Sequence, residues 1–193
     1  MIGGASGDML LGAMVAVGLD LDELQVELDK FPDRGYRLEK TLVNRGGLQA
    51  ILVDVVLDDD GERKRTWGDF YSSIANSTLE DSDKRSIKRI FDVLAVAEAT
   101  VHGGEAGSTH LHELGTVDTL VDISSTVIGM RLLGVSKIHA SAFPTGTGSS
   151  GSSHGAMGAT SIATAEIYKA SAVPVRAGGR QPVGEAVTPT GAA

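Results

Sequence analysis

Two histidines and three carboxylates lie close together between residues 110 and 122. His110 and His112 are two residues apart in a segment predicted to be extended, so their side chains are expected to point to the same side. Glu113 follows them, and Asp118 and Asp122 are four residues apart on one face of the next predicted helix. Because imidazole and carboxylate groups suit divalent transition metals, this set predicts a metal site.

A structural interpretation of the same residues is also open. Pairs of histidines with this spacing occur by chance, Asp118 could cap its helix, and Asp122 could bond a neighbouring loop. That helix is apolar on most sides and is therefore predicted to be buried, where an unpaired carboxylate is costly. His154, in a polar segment, is a further candidate ligand, whereas His102 and His139 are predicted to be structural.

Small residues before the first predicted helix form a second candidate site. Gly4, Ser6 and Gly7 precede the helix, and Asp8 is predicted to cap it. Free backbone N–H groups at such a helix start can face a phosphate or another substrate anion. The segment is neither a full P-loop nor a dinucleotide fingerprint, so a tight turn with an Asp cap is the alternative. The Gly- and Ser-rich stretch 145–153 offers the same two interpretations.

These candidate sites lie on an alternation of predicted helices and strands. Periodicity and breaker residues predict helices at 8–17, 20–30, 66–76, 81–102, 117–133 and 159–170, and strands at 35–43, 48–57 and 137–142. Residues 44–47 predict a hairpin turn, residues 143–155 a glycine-rich hairpin or mobile loop, and residues 188–191 a helix start. The chain is therefore predicted to be α/β, with helices packed on a mixed sheet in a single compact domain.

Composition narrows the classes of function. The chain has 193 residues and a formal net charge of −8, which disfavours a nucleic-acid partner. It has no cysteine, so disulfides and thiolate metal sites are excluded. No apolar run reaches the roughly 18 residues that span a bilayer, and the start lacks the basic residues of a signal peptide. No membrane partner and a cytoplasmic location are expected.

Several segments together resemble the family that inserts nickel into the nickel-pincer cofactor of lactate racemase, the LarC family. They are GASGDM at 4–9 with LGA at 11–13, VHG at 101–103, HLHELGTVDTLVDI at 110–123, GTG at 146–148 with HG at 154–155, ATAE at 163–166 and TPTGAA at 188–193. They occur in the family's order and near its spacing. The sequence departs from the family in two places. The family usually has a short strand and an Asp before the first motif, where this sequence reads Met1-Ile2, and a proline-rich run after the HG pair, where residues 157–164 have no proline.

The resemblance implies insertion of Ni(II) into pyridinium-3,5-bisthiocarboxylic acid mononucleotide in a CTP-dependent reaction of the lyase class. It implies that residues 1–193 are the family's N-terminal domain, with the CTP-associated region after Ala193, so that these residues alone are expected to be inactive. Lactate racemase apoprotein is an implied partner, and a homo-oligomer is left open. The alternatives are a non-catalytic nickel metallochaperone and a phosphosugar or nucleotide enzyme that works without nickel.

Overall fold

The computed structural model describes residues 3–58, 64–108, 111, 114–152, 155–178 and 181–193. Within these ranges the helices are α1 (Gly7–Ala16), α2 (Leu21–Leu28), α3 (Trp67–Asn76), α4 (Asp81–His102), α5 (Val117–Leu132), α6 (Ile162–Ser171) and α7 (Pro189–Ala192). The strands are β1 (Tyr36–Arg45), β2 (Leu48–Leu57), β3 (Phe143–Pro144), β4 (Ser149–Ser152), β5 (Gly155–Gly158) and β6 (Val175–Arg176). The predicted α/β class, with helices packed on a sheet, is confirmed, and the described strands pair as three two-stranded sheets.

The chain divides into two compact units. One comprises Gly7–Arg89 with Leu114–Ser136, and the other comprises Met1–Ser6, Ile90–Glu113 and Lys137–Ala193. The first unit holds α1, α2, the β1–β2 hairpin, α3 and α5. None of the helices in the described part of the chain is long and apolar enough to cross a membrane.

In the first unit, β1 and β2 form the predicted antiparallel hairpin. Arg45 pairs with Leu48, which leaves Gly46 and Gly47 as a two-residue turn with φ values of 59° and 87°. Positive φ at both turn positions matches the right-handed twist of the strands, which explains the two glycines. Helix α1 packs on β2, and a β-carbon added at Gly12 would overlap the carbonyl oxygen of Ile51.

Helix α5 is the buried centre of this unit, with Leu120 and Ile128 fully buried along it. At its C-terminal end Arg131 donates to Asp83 at 2.8 Å and to Glu27 at 2.7 Å. The two carboxylates compensate the half-buried guanidinium and hold α2 and the start of α4 against α5.

The second unit is built around a short parallel pair, β3 with β6, and a small apolar cluster. The N–H of Ala5 donates to the carbonyl of Ala186 at 2.9 Å, and the N–H of Thr188 donates to the carbonyl of Ala5 at 3.1 Å. This pairing places Ala5 in the cluster beside Tyr168 and Val187. The predicted helix start at 188–191 is confirmed as α7. Of the two interpretations of residues 143–155, a hairpin forms, but it lies later in the chain, because β4 pairs with β5 and Phe143–Pro144 pair with β6.

The predicted strand at 137–142 is wrong. These residues are in irregular structure and all but Ala142 are exposed, with 67% of the surface of Ile138 exposed. A strand needs a partner edge as well as an extended apolar pattern, and among the described residues after α5 strand pairing begins only at Phe143. His139 therefore lies on an exposed irregular segment and not in a strand.

Candidate metal site

Helix α5 places its two predicted site aspartates at different depths. Asp118 lies in the first turn and is exposed, whereas Asp122, one turn later, has only 8% of its surface exposed. Thr116 occupies the N-cap position, and its hydroxyl accepts from the N–H of Thr119 at 3.4 Å. The alternative interpretation of Asp118 as the helix cap is therefore wrong, because Thr116 occupies that position.

Gly7, the first residue of α1, lies directly against the side chain of Asp122. A β-carbon added at Gly7 would overlap the carboxyl group, so glycine is what permits this approach. Asp8 is the second helical residue, exposed and inside the first turn, not at the cap position that the sequence predicted. The start of α1 thus brings a second acidic residue beside the α5 pair.

Helices α1 and α5 run in the same direction at this contact. Gly7 meets Asp122, and seven residues further along both helices Met14 meets Gly129, with its sulfur 2.9 Å from a β-carbon added there. The N-terminal ends of both helices therefore lie together. Because helix N-termini carry partial positive charge, acidic residues such as Asp8 and Asp118 are stabilised in these first turns.

The three carboxylates influence one another electrostatically. Burial, and next the negative charges of Asp118 and Asp8, raise the pKa of Asp122 from its ordinary 3.8 to about 8. The buried carboxyl group therefore favours its protonated form at neutral pH, because burial and the two neighbouring charges disfavour the ionised form. A divalent cation at this point would offset the negative charge and displace the proton.

Two hydroxyl groups on α5 add to the polar content of this buried helix. Ser124 and Ser125 are fully buried, and their Oγ atoms have no hydrogen-bond partner among the described residues. Ser125 is three residues after Asp122 and so lies on the same face of α5, between the contacts to Gly7 and Met14. The sequence shows Ser125 on this stripe, but its burial depends on the packing of α1.

The predicted imidazole ligands lie outside the residues that the structure describes. These are His110, His112 and His154, together with the carboxylate of Glu113. Within the described part of the chain, no group of three His, Asp or Glu residues has the geometry to hold a metal ion. The aspartates alone therefore do not complete a metal site, and the full ligand set stays a prediction.

The predicted phosphate-binding segment is largely engaged with the protein itself. Gly4 has φ of +100° and packs on the backbone of Ala186, while the N–H of Ala5 is already donated to Ala186. Ser6 precedes α1 and is partly buried. The role of Gly4, Ser6, Gly7 and Asp8 in binding a phosphate stays a prediction, and the carboxylate of Asp8 in the first turn of α1 favours a cation over an anion there.

The sequence matches the model of a family described as nickel insertion protein over residues 1–193. It is 35% identical over 190 residues to a nickel insertion protein of Dictyoglomus thermophilum, covering 98% of this chain and 48% of that protein. It is 39% identical over 190 residues to one of Citrifermentans bemidjiense, with the same coverage. The chain spans about half the length of these relatives.

One further relative has a more specific name. The chain is 38% identical over 190 residues to the pyridinium-3,5-bisthiocarboxylic acid mononucleotide nickel insertion protein of a Nocardioides species, covering 98% of this chain and 47% of that protein. No solved structure matches the chain.

Proposed function

The chain belongs to the nickel insertion protein family, and on that premise we propose that it binds Ni(II) for insertion into pyridinium-3,5-bisthiocarboxylic acid mononucleotide. The name of the Nocardioides relative supports this substrate. We further propose that insertion depends on CTP, that the chain is the N-terminal part of a lyase-class nickel chelatase, and that lactate racemase apoprotein receives the product. The sequence motifs support these proposals.

The observation that carries the nickel-binding proposal is the position of Asp122. Its carboxyl group is buried against Gly7, and the charges of Asp118 and Asp8 reach it. Without a cation, ionised Asp122 would be buried and would meet repulsion from these two charges, which costs stability. A Ni(II) ion bound by these carboxylates would turn that repulsion into attraction.

Imidazoles would complete the proposed site. The segment that carries His110 and His112 leads directly into α5, and its end is anchored because the N–H of Arg65 donates to the carbonyl of Gly115 at 2.8 Å. Imidazole nitrogen with carboxylate oxygen is a donor set that suits Ni(II) and contains no thiolate. Because nickel is the substrate and must be released, a site of exchangeable N and O ligands fits this role.

Titration calorimetry with nickel tests the proposal. The double variant Asp118→Asn/Asp122→Asn should lose at least about tenfold in nickel affinity, as expected when groups that hold a metal or its ligands are replaced. The matched control is Asp54→Asn, which removes one exposed carboxylate on β2 in the same unit. Circular dichroism verifies that all three proteins are folded. Equal nickel affinity in all three would reject the aspartates as part of the site.

A further inference from the structure

The outer edge of β1 carries backbone groups that face away from the hairpin. The N–H of Asp58 donates to the carbonyl of Gly35, the residue before β1, at 2.9 Å. Because hydrogen-bonded pairs alternate along an antiparallel ladder, the odd-numbered residues of β1 bond to β2 and the even-numbered residues do not. The N–H of Leu38 instead donates outward, to the side chain of Gln25 at 2.9 Å. The N–H and carbonyl groups of Lys40, Leu42 and Asn44 therefore also point outward.

The two edges of the hairpin differ in how they are covered. On β2, the outward carbonyl of Ile51 lies against Gly12, so α1 covers that edge. On β1, Gln25 covers Leu38 only. From Lys40 to Asn44, no other described residue bonds the outward backbone groups, and Leu42 has 67% of its surface exposed. A free edge of this kind is a template for another strand.

We propose that the β1 edge pairs with the same edge of a second copy of the chain, giving a four-stranded antiparallel sheet across a two-fold axis at Leu42. With this axis Leu42 lies opposite Leu42 of the second copy and Lys40 lies opposite Asn44 of the second copy, so that outward residues face outward residues. This register forms about six backbone hydrogen bonds between the copies. It also converts a two-stranded sheet, which is marginal by itself, into a four-stranded one.

Charge and the number of hydrogen bonds select this register over its neighbours. An axis at Thr41 would oppose Arg37 and Arg45, and an axis at Val43 would place Lys40 opposite the turn and form only about four bonds. With the axis at Leu42, Glu39 lies opposite Arg45 of the second copy, twice by symmetry, and no like charges face each other. An axis at Lys40 would oppose two lysines and would need the N–H of Leu38, which Gln25 already occupies. An axis at Asn44 would run the partner strand past the turn at residues 46–47.

Cysteine scanning tests the contact directly, because the chain has no cysteine of its own. Across a hydrogen-bonded pair the Cα atoms are about 5.5 Å apart, which is within the range of a disulfide. Leu42→Cys should therefore give a disulfide-linked dimer under mild oxidation. Leu48→Cys is the matched control, since Leu48 lies on the same hairpin and is 75% exposed but lies off the β1 edge. Equal cross-linking of both variants would overturn the proposal.

Mass in solution, measured by light scattering, gives a second and independent readout. The unmodified chain should approach twice 20.0 kDa as its concentration rises. Leu42→Pro should remain monomeric, because it removes an outward N–H while leaving the hairpin's own ladder intact, and Leu42→Thr should still dimerise. A chain that stays monomeric at every concentration would overturn the proposal that a second copy pairs with the β1 edge. A strand of another protein would then be the remaining candidate for pairing with this edge.

The two charged residues test the register even if the proline variant fails to fold. Arg45→Glu should weaken dimerisation, since it places two carboxylates opposite each other. The charge swap Glu39→Arg/Arg45→Glu should restore dimerisation by reversing both members of the pair. Failure of the swap to restore it would exclude the register centred on Leu42.

Discussion

Gly7 packs against the carboxyl group of Asp122, so the first residue of α1 meets the one buried aspartate that the described part of α5 carries. This contact has no space for a side chain at position 7. It fixes how closely the two helices approach at the end where Asp8 and Asp118 also lie. The geometry of the proposed nickel site therefore depends on a glycine that has no chemical group of its own.

We predict that Gly7→Ala destabilises the chain by about 1–3 kcal/mol, because the added methyl group must push Asp122 or α1 aside. Gly68→Ala is the matched control. Gly68 is also at the start of a helix, α3, but is exposed, and a β-carbon there would meet only the Thr66 hydroxyl at 3.7 Å. The control should be neutral or stabilising by up to about 1 kcal/mol. Urea denaturation measures both, and equal effects would show that the Gly7 contact is loose.

Local signals predicted most helices, because the capping residues that start a helix lie within a few positions of one another in the sequence. Asp20 accepts from two N–H groups at the start of α2, and Thr66 and Asp69 form a capping box at α3. The cap of α5 was available in the same way, because Thr116 precedes the helix and threonine is favoured at that position. The structural interpretation of the sequence instead places the cap of this helix at Asp118.

Tertiary contacts account for what the sequence did not predict. The approach of Gly7 to Asp122 joins residues more than a hundred positions apart, and a run of small residues gives no sign of which helix they meet. The failed strand at 137–142 has the same cause, since strand formation depends on a partner edge elsewhere in the chain. Helical spacing predicted that the two aspartates share one face of α5. It could not predict that Asp122 is buried while Asp118 is exposed.

The raised pKa of Asp122 predicts how stability depends on pH. The folded chain holds this proton up to about pH 8, whereas the unfolded chain releases it near the ordinary pKa of 3.8. The contribution of Asp122 to stability is therefore fully present below about pH 4 and is lost as pH rises towards 8. Asp122→Asn cannot ionise, so it should be the more stable protein near pH 8, by roughly 2–5 kcal/mol.

Urea denaturation of both proteins across this pH range measures the difference. The gap between Asp122→Asn and the unmodified chain should widen as pH rises from about 4 to about 8. Asp54→Asn, which changes an exposed carboxylate, should show no such widening. A constant gap for Asp122→Asn would mean that its carboxyl group titrates in the folded chain as it does in the unfolded one.

We predict that residues 1–193 alone do not complete nickel insertion. The chain spans about half the length of its relatives, and the family resemblance associates CTP use with the half that these residues do not match. The purified chain, given nickel, CTP and pyridinium-3,5-bisthiocarboxylic acid mononucleotide, should form no nickel-bound product by mass spectrometry. The Nocardioides relative, treated identically, is the positive control. Product formed by the 193-residue chain would contradict this prediction and support a complete insertion activity in these residues.

Nickel affinity should depend on His110 and His112 and on pH. Neutral imidazole is the form that binds a metal, and the reference pKa of histidine is about 6.5, so affinity should fall as pH drops below about 6. The variant His110→Ala/His112→Ala should lose most of its nickel affinity and this pH dependence while remaining folded by circular dichroism. His139→Ala is the control, because His139 lies on an exposed irregular segment outside the 110–122 motif. Unchanged affinity in the double variant would move the ligand search to His154 and to His102, whose Nε2 lies 3.3 Å from Glu98.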